Sequence, residues 1–205
     1  MTYYERRLPH WQPEGRSLFV TWRLWGSLPA EAWAKARAEV NRRAKRGAKA
    51  GGQVCPPHRA TPGELFLALD AELEKRQDGP RWLTDGRVAR AVVASLGAGA
   101  STLNHYRLHA FVVMPNHVHI LIEPMIPPVR ALKALKGTSA RAANVILGRT
   151  GKPFWQDESF DHWVRNEAEF DRIRSYIERN PVKAGLARRE ADWPWSSAGA
   201  RGQDG

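Results

Sequence analysis

The stretch Leu103 to Glu123 constrains the fold more than any other part of the chain, because it reads as two strands joined by the two-residue turn Pro115-Asn116. So short a joint makes the strands an antiparallel pair. In the second strand, HVHILIE, side chains alternate between faces. Val118, Ile120 and Ile122 therefore point into a core, while His117 and His119 point together on the other side. Two imidazoles on one face of a strand are either a claw for a metal ion or a structural pair.

The remaining elements follow from local signals. SLFVTWRLW, Ser17 to Trp25, is rich in β-branched and aromatic residues and stops at Gly26, which predicts a first strand. Pro29 to Ala50 reads as a helix with Pro29 at a favoured first-turn position and a basic far end, Asn41 to Arg46. GAKAGGQVCPPHRA is a Gly/Pro-rich loop, and Thr61-Pro62-Gly63-Glu64 is a capping box that opens a helix to about Gln77. Residues ~29 to ~80 thus look like a helical insertion, and residues from about 187 like a C-terminal tail, in a single domain spanning 1–205. Asp85 can cap a further helix, with Val88, Val92 and Leu96 at helical spacing before the loose AGAST stretch. Val129 to Leu147 predicts another helix and Phe160 to Val164 a short strand. Asn166, with Glu169 three residues on, caps a last helix that Pro181 ends. Strand, helices, strand, strand, helix, strand, helix fits an α+β fold of ferredoxin-like type, with helices on one face of an antiparallel sheet. The histidines would lie on the opposite, more open face, which a final helix is able to cross.

Charge points to the partner. Lys and Arg outnumber Asp and Glu by 32 to 21, a net charge of +11 over 205 residues, and such an excess predicts a polyanion, nucleic acid before a membrane surface. The single Cys55 excludes an internal disulfide and suits a reducing compartment; two prolines follow it and no nucleophile motif surrounds it. No apolar run approaches the ~18 residues of a membrane span, and MTYYERRLPHW lacks the apolar stretch of a signal peptide. The expectation is a cytoplasmic protein with no membrane contact.

Tyr176, in the last predicted helix, sits among Arg172, Arg174 and Arg179. By itself it reads first as an ordinary buried tyrosine; a divalent cation and nearby guanidiniums would make it effective as a nucleophile. Asn180, four residues on, shares its helical face and offers an amide oxygen beside the imidazoles, provided that the helix persists to Pro181, which disfavours helical geometry in the residue before it.

Several segments together resemble a family. MPNHVHILIEP, LKGTSARAANVIL, FWQDESFDHWVRN, SYIERNPVKAGL and DWPWSS, preceded by RRLPHWQPEG and SLFVTWRLWGSLP, are similar to the REP-associated tyrosine transposases, a branch of the bacterial single-tyrosine HUH transposases. The resemblance covers almost the whole chain, the insertion being least specific. It implies the ferredoxin-like HUH endonuclease fold, a Mg2+ or Mn2+ ion held by His117 and His119, Tyr176 as nucleophile and Asn180 as a third metal contact. It also implies a strand-cutting reaction through a 5′-phosphotyrosine intermediate, on single-stranded or hairpin DNA of repetitive palindromes. Arg6, Arg7, Lys133, Lys136, Arg141, Arg172, Arg179 and Lys183 are then candidates for following the DNA backbone. The insertion and tail favour a monomer over a homodimer. Two rival readings remain: a non-catalytic hairpin-binding protein, and a metal-dependent nuclease using activated water, in which Glu123 or Asp161 joins the histidines.

Overall fold

The computed structural model describes residues 15–50, 62–75 and 78–203. Arg6, Arg7, Cys55 and Thr61 of the capping box lie outside the described residues. The chain divides into two compact units, residues 26–80 and the remainder.

The larger unit is built on a four-stranded sheet. Strands β1 (Leu18–Leu24), β2 (Tyr106–Val113), β3 (His117–Pro124) and β4 (Trp155–Trp163) take the order β2-β3-β1-β4, and every neighbouring pair is antiparallel. With helix α3 (Gly86–Ser101) between β1 and β2, and α4 (Pro128–Ile146) between β3 and β4, this is the split βαβ arrangement expected from the sequence. Pro115-Asn116 makes the β2–β3 turn, closed by the Met114 amide donating to the His117 carbonyl at 2.9 Å.

One face of the sheet is the main core. Val118, Ile120 and Ile122 are fully buried there against Val88, Val92 and Leu96 of α3 and Ala131, Leu132 and Leu135 of α4, each such side chain contributing about 1.5–3 kcal/mol when removed from water. The other face is crossed by α5 (Glu167–Lys183), which contacts β2 and β3. The tail then returns to the free edge of β2. Val113 donates to the Trp195 carbonyl at 2.8 Å, the Trp193 indole donates to the Val113 carbonyl at 3.0 Å, and Ser196 forms a bridge with Val112. That covers an edge that would otherwise invite pairing with another chain. A short helix, α6 (Ser197–Gln203), follows.

Residues 26–80 carry α1 (Ala30–Ala50) and α2 (Pro62–Lys75), which pack through a small cluster of Leu28, Ala32, Leu69 and Leu73. Arg42 of α1 is bridged to Glu39.

Four expectations are corrected. The AGAST stretch is helix to Ser101, because Tyr106 of β2 lies against the backbone of Gly99 and donates its hydroxyl to the Leu96 carbonyl at 2.9 Å. Packing there outweighs the poor helix propensity of Gly97 and Gly99. Strand β4 begins at Trp155 rather than Phe160; its first turn of chain is anchored by Trp155, which meets Trp22 edge-on and donates to Ser139 Oγ at 3.0 Å. Helix α5 passes through Pro181 to Lys183, since Asn180 and Pro181 are both buried and the Ala184 amide still reaches the Asn180 carbonyl at 3.0 Å. Finally, the histidine face is not open: His117 and His119 are both 0% exposed.

Candidate active site

The site is assembled from β1, β3 and α5. Register places Thr21 of β1 opposite His119 and Arg23 opposite His117, so strand pairing alone sets four side chains on one face. His117 Nδ1 lies 2.7 Å from Asn116 Oδ1, and His119 Nδ1 lies 2.6 Å from Thr21 Oγ1. The Asn116 oxygen only accepts, so His117 carries its proton on Nδ1 and turns the lone pair of Nε2 into the site. The two Nε2 atoms face each other at 3.1 Å, a separation that one cation at a metal–nitrogen distance of about 2.1 Å spans.

Helix α5 completes the constellation. Its start is fixed by Asn166, whose side chain accepts from the Glu169 amide at 2.9 Å. Glu169 is tied to β4 through His162 Nε2 at 3.2 Å and to the Arg165 guanidinium at 2.6 Å; the Arg165 hydrogen bonds hold its carboxyl down at about 2. So anchored, the helix brings Tyr176 edge-on to the His119 ring at 5.7 Å and to Phe19 at 6.3 Å. Phe19 itself stacks on His119 at 5.8 Å. One turn later Asn180 is buried with its Nδ2 at 3.4 Å from His119 Nε2.

Asn180 tests whether these residues suit a cation. Its Oδ1 is buried and meets no hydrogen-bond donor among the described residues, and an unmet buried amide oxygen is costly. The oxygen and the NH2 of a side-chain amide are nearly the same size, so the group turns end for end within the same packing. A half-turn of the amide presents the oxygen beside two imidazole nitrogens, a donor set of N, N and O without a proton to share. These residues fit a divalent ion.

The structure does not bring the other candidates together. Lys133, Lys136 and Arg141 ride on α4, behind the sheet from the histidines. Lys133 and Arg141 are exposed, but the Lys136 ammonium donates to the carbonyls of Gln156 and Asp157 at 2.7 and 2.9 Å. Arg172, Arg179 and Lys183 are exposed on α5, on the histidine side; Arg179 is 3.5 Å from Glu190, and Lys183 Nζ lies 5.7 Å over the Tyr176 ring. The rival carboxylates are both misplaced. Asp161 pairs with Val20 and so shares the opposite, α3/α4 face, where burial pushes its carboxyl up to about 6. Glu123 is on the histidine face but four residues beyond His119, about 13 Å along the strand, engaged with Arg107 at 3.3 Å. His109 and His162 are likewise partners of Glu123 and Glu169 rather than part of the claw. Thr21, Asn116 and Phe19 were not foreseen; alternation along SLFVTWRLW puts Phe19, Thr21 and Arg23 on one face, but only pairing with β3 says which face that is.

Residues 83–180 match the family described as "Transposase IS200 like". A REP-associated tyrosine transposase of Escherichia coli (strain K12) is 28% identical over 95 residues, which are 45% of this chain and 54% of that protein, so the match spans about half the length of that relative. A solved structure of a REP-associated tyrosine transposase bound to a REP hairpin shares the fold, with a TM-score of 0.52 at 17% identity over 96% of this chain and 82% of that one. Among the described residues no helix is long and apolar enough to cross a membrane. The resemblance carried by the motifs is thereby borne out: the chain is similar to the REP-associated tyrosine transposases in sequence over part of its length and in fold.

Proposed function

We propose that the protein is a metal-dependent single-stranded DNA endonuclease and strand transferase that acts on palindromic hairpin DNA through a 5′-phosphotyrosine intermediate. One observation carries this reading: on α5, Tyr176 meets the His119 ring edge-on at 5.7 Å and Asn180, one helical turn later, lies 3.4 Å from His119 Nε2, which faces His117 Nε2 on β3 at 3.1 Å. Mg2+ or Mn2+, held by His117, His119 and Asn180, supplies Lewis-acid polarisation of the scissile phosphate when bound. The protein's own part is orientation. Phe19 and His119 bracket the phenol edge-on, and the Lys183 ammonium over the ring favours negative charge developing on Oη. Tyr176 Oη attacks phosphorus; the new O–P bond forms as the bond to the 3′ oxygen breaks, and the phenol proton passes through solvent to that oxygen. The product is a 5′-phosphotyrosine and a free 3′-hydroxyl. Bond energy is retained, so a 3′-hydroxyl rejoins the strand by the reverse step without ATP.

Arg172, Arg179 and Lys183 on α5 are the basic residues best placed to follow the strand at the site. DNA reaches Lys133 and Arg141 only by passing an edge of the sheet. The hairpin substrate is carried over from the related transposase solved with a REP hairpin. Incubation with a labelled single-stranded hairpin and Mn2+ is expected to give an SDS-stable protein–DNA adduct that is absent in Tyr176→Phe. Cleavage without an adduct would establish water as nucleophile instead, and binding without cleavage a non-catalytic hairpin-binding protein.

A further inference from the structure

Strand β1 sends three side chains to the histidine face, Phe19, Thr21 and Arg23. Phe19 stacks on His119 and Thr21 bonds it. Arg23 stands directly across from His117 in the register, where opposed Cβ atoms are about 5 Å apart. Its Nε is buried and meets no hydrogen-bond acceptor among the described residues. The carboxylate that acts on it is Glu158, which already accepts from Gln156 at 2.8 Å. Burial lowers the Arg23 guanidinium from its ordinary value, and Glu158 only partly opposes this. A partly desolvated cation with an unmet donor is unfavourable for stability, and it becomes favourable when an anion with two oxygens closes the guanidinium fork.

We propose that Arg23 is a phosphate-binding residue of the site, its fork taking the non-bridging oxygens of a single-strand phosphodiester beside His117. This rests on the strand-cutting reading and adds to it a fixed positive charge delivered from β1, across from His117 in the register. A guanidinium stays charged at every working pH, so Arg23 holds the phosphate whether or not the imidazoles are loaded. It also meets the extra negative charge that gathers on those oxygens during attack.

The test uses the full chain carrying Tyr176→Phe, so that no strand is cut, and a fluorescein-labelled DNA hairpin with single-stranded flanks, titrated in EDTA across a range of salt. Arg23→Gln is expected to flatten the dependence of log K on log salt by about 0.7, one single-strand phosphate contact. Arg90→Gln, exposed on α3 behind the sheet, removes the same charge and should leave the slope as it was. Equal slopes for the two variants would overturn the proposal. Glu158→Gln separates it from a purely structural role: if Arg23 serves only to pair with Glu158, both variants lose thermal stability alike and neither flattens the slope. Arg23→Lys keeps the charge without the fork and should hold the slope while slowing single-turnover adduct formation about tenfold in the Tyr176 protein; an unchanged rate counts against the fork. Absence of any adduct from the unsubstituted protein would sink the strand-cutting reading, and the slope comparison would still decide Arg23.

Discussion

His119 Nδ1 lies 2.6 Å from Thr21 Oγ1, so the imidazole carried by β3 is aimed by a hydroxyl of β1. Such a partner sets ring orientation and leaves Nε2 for a metal, and its loss typically lowers metal affinity 10- to 100-fold. Thr21→Val removes the hydroxyl and keeps the shape of a buried side chain. It is expected to weaken Mn2+ binding by about that factor in a calorimetric titration. Affinity within twofold of the parent would show that Thr21 does not position the ring.

Asn180 carries a buried amide oxygen that meets no donor among the described residues, which is a liability unless a cation meets it. Asn180→Leu, with the same branching and number of heavy atoms, should leave stability in EDTA unchanged or raise it by about 1 kcal/mol. The extra stability that Mn2+ confers on the parent should largely vanish. Urea unfolding with and without Mn2+ reads both quantities. A variant that still gains as much from Mn2+ as the parent does would remove Asn180 from the ligand set.

Asp161 titrates in the opposite sense from a salt-bridged carboxylate. Burial raises its folded value to about 6, against about 3.9 for an unfolded aspartate. The folded state therefore prefers the protonated group; the stability that Asp161 contributes is fully present below pH ~4, falls as pH rises to about 6, and is lost above. Asp161→Asn should stabilise the protein by about 1–2 kcal/mol at pH 7, less than the full shift implies because the residue is partly open to water. The gain should disappear by pH 4. A gain independent of pH, measured by urea unfolding at both values, would contradict burial as the cause.

Lys136 is held by two carbonyls of β4. Lys136→Met should cost about 1–3 kcal/mol through those two charge-assisted bonds and leave the salt dependence of hairpin binding unaltered. Arg172→Gln, on the histidine side, should instead flatten that dependence by about 0.7 with little effect on melting. The reverse pattern would return Lys136 to the DNA surface.

Much of this was legible in order along the chain. The hairpin about Pro115-Asn116, the helix capped by Asp85, and the Asn166 cap with Glu169 are local signals, and local hydrogen bonds decide them. Where β4 begins and where α5 ends were not legible, because the QDES segment is polar on an edge strand and Pro181 breaks a local rule that tertiary burial overrides. The basic residues illustrate the same limit: Lys133, Lys136 and Arg172 look alike in sequence, yet the first two ride behind the sheet, Lys136 bound to backbone, and the third lies beside the site.

By itself the sequence determined which groups could do chemistry: period two on one strand puts His117 and His119 side by side, and period 3.6 on one helix puts Tyr176 and Asn180 on one face. Only the tertiary structure decided that these two pairs meet, that both imidazoles are buried, and that Thr21 and Arg23 stand across from them. Periodicity acts within an element, whereas the register of β1 on β3 and the path of α5 over the sheet arise from contacts between residues far apart in the chain, which no local pattern records.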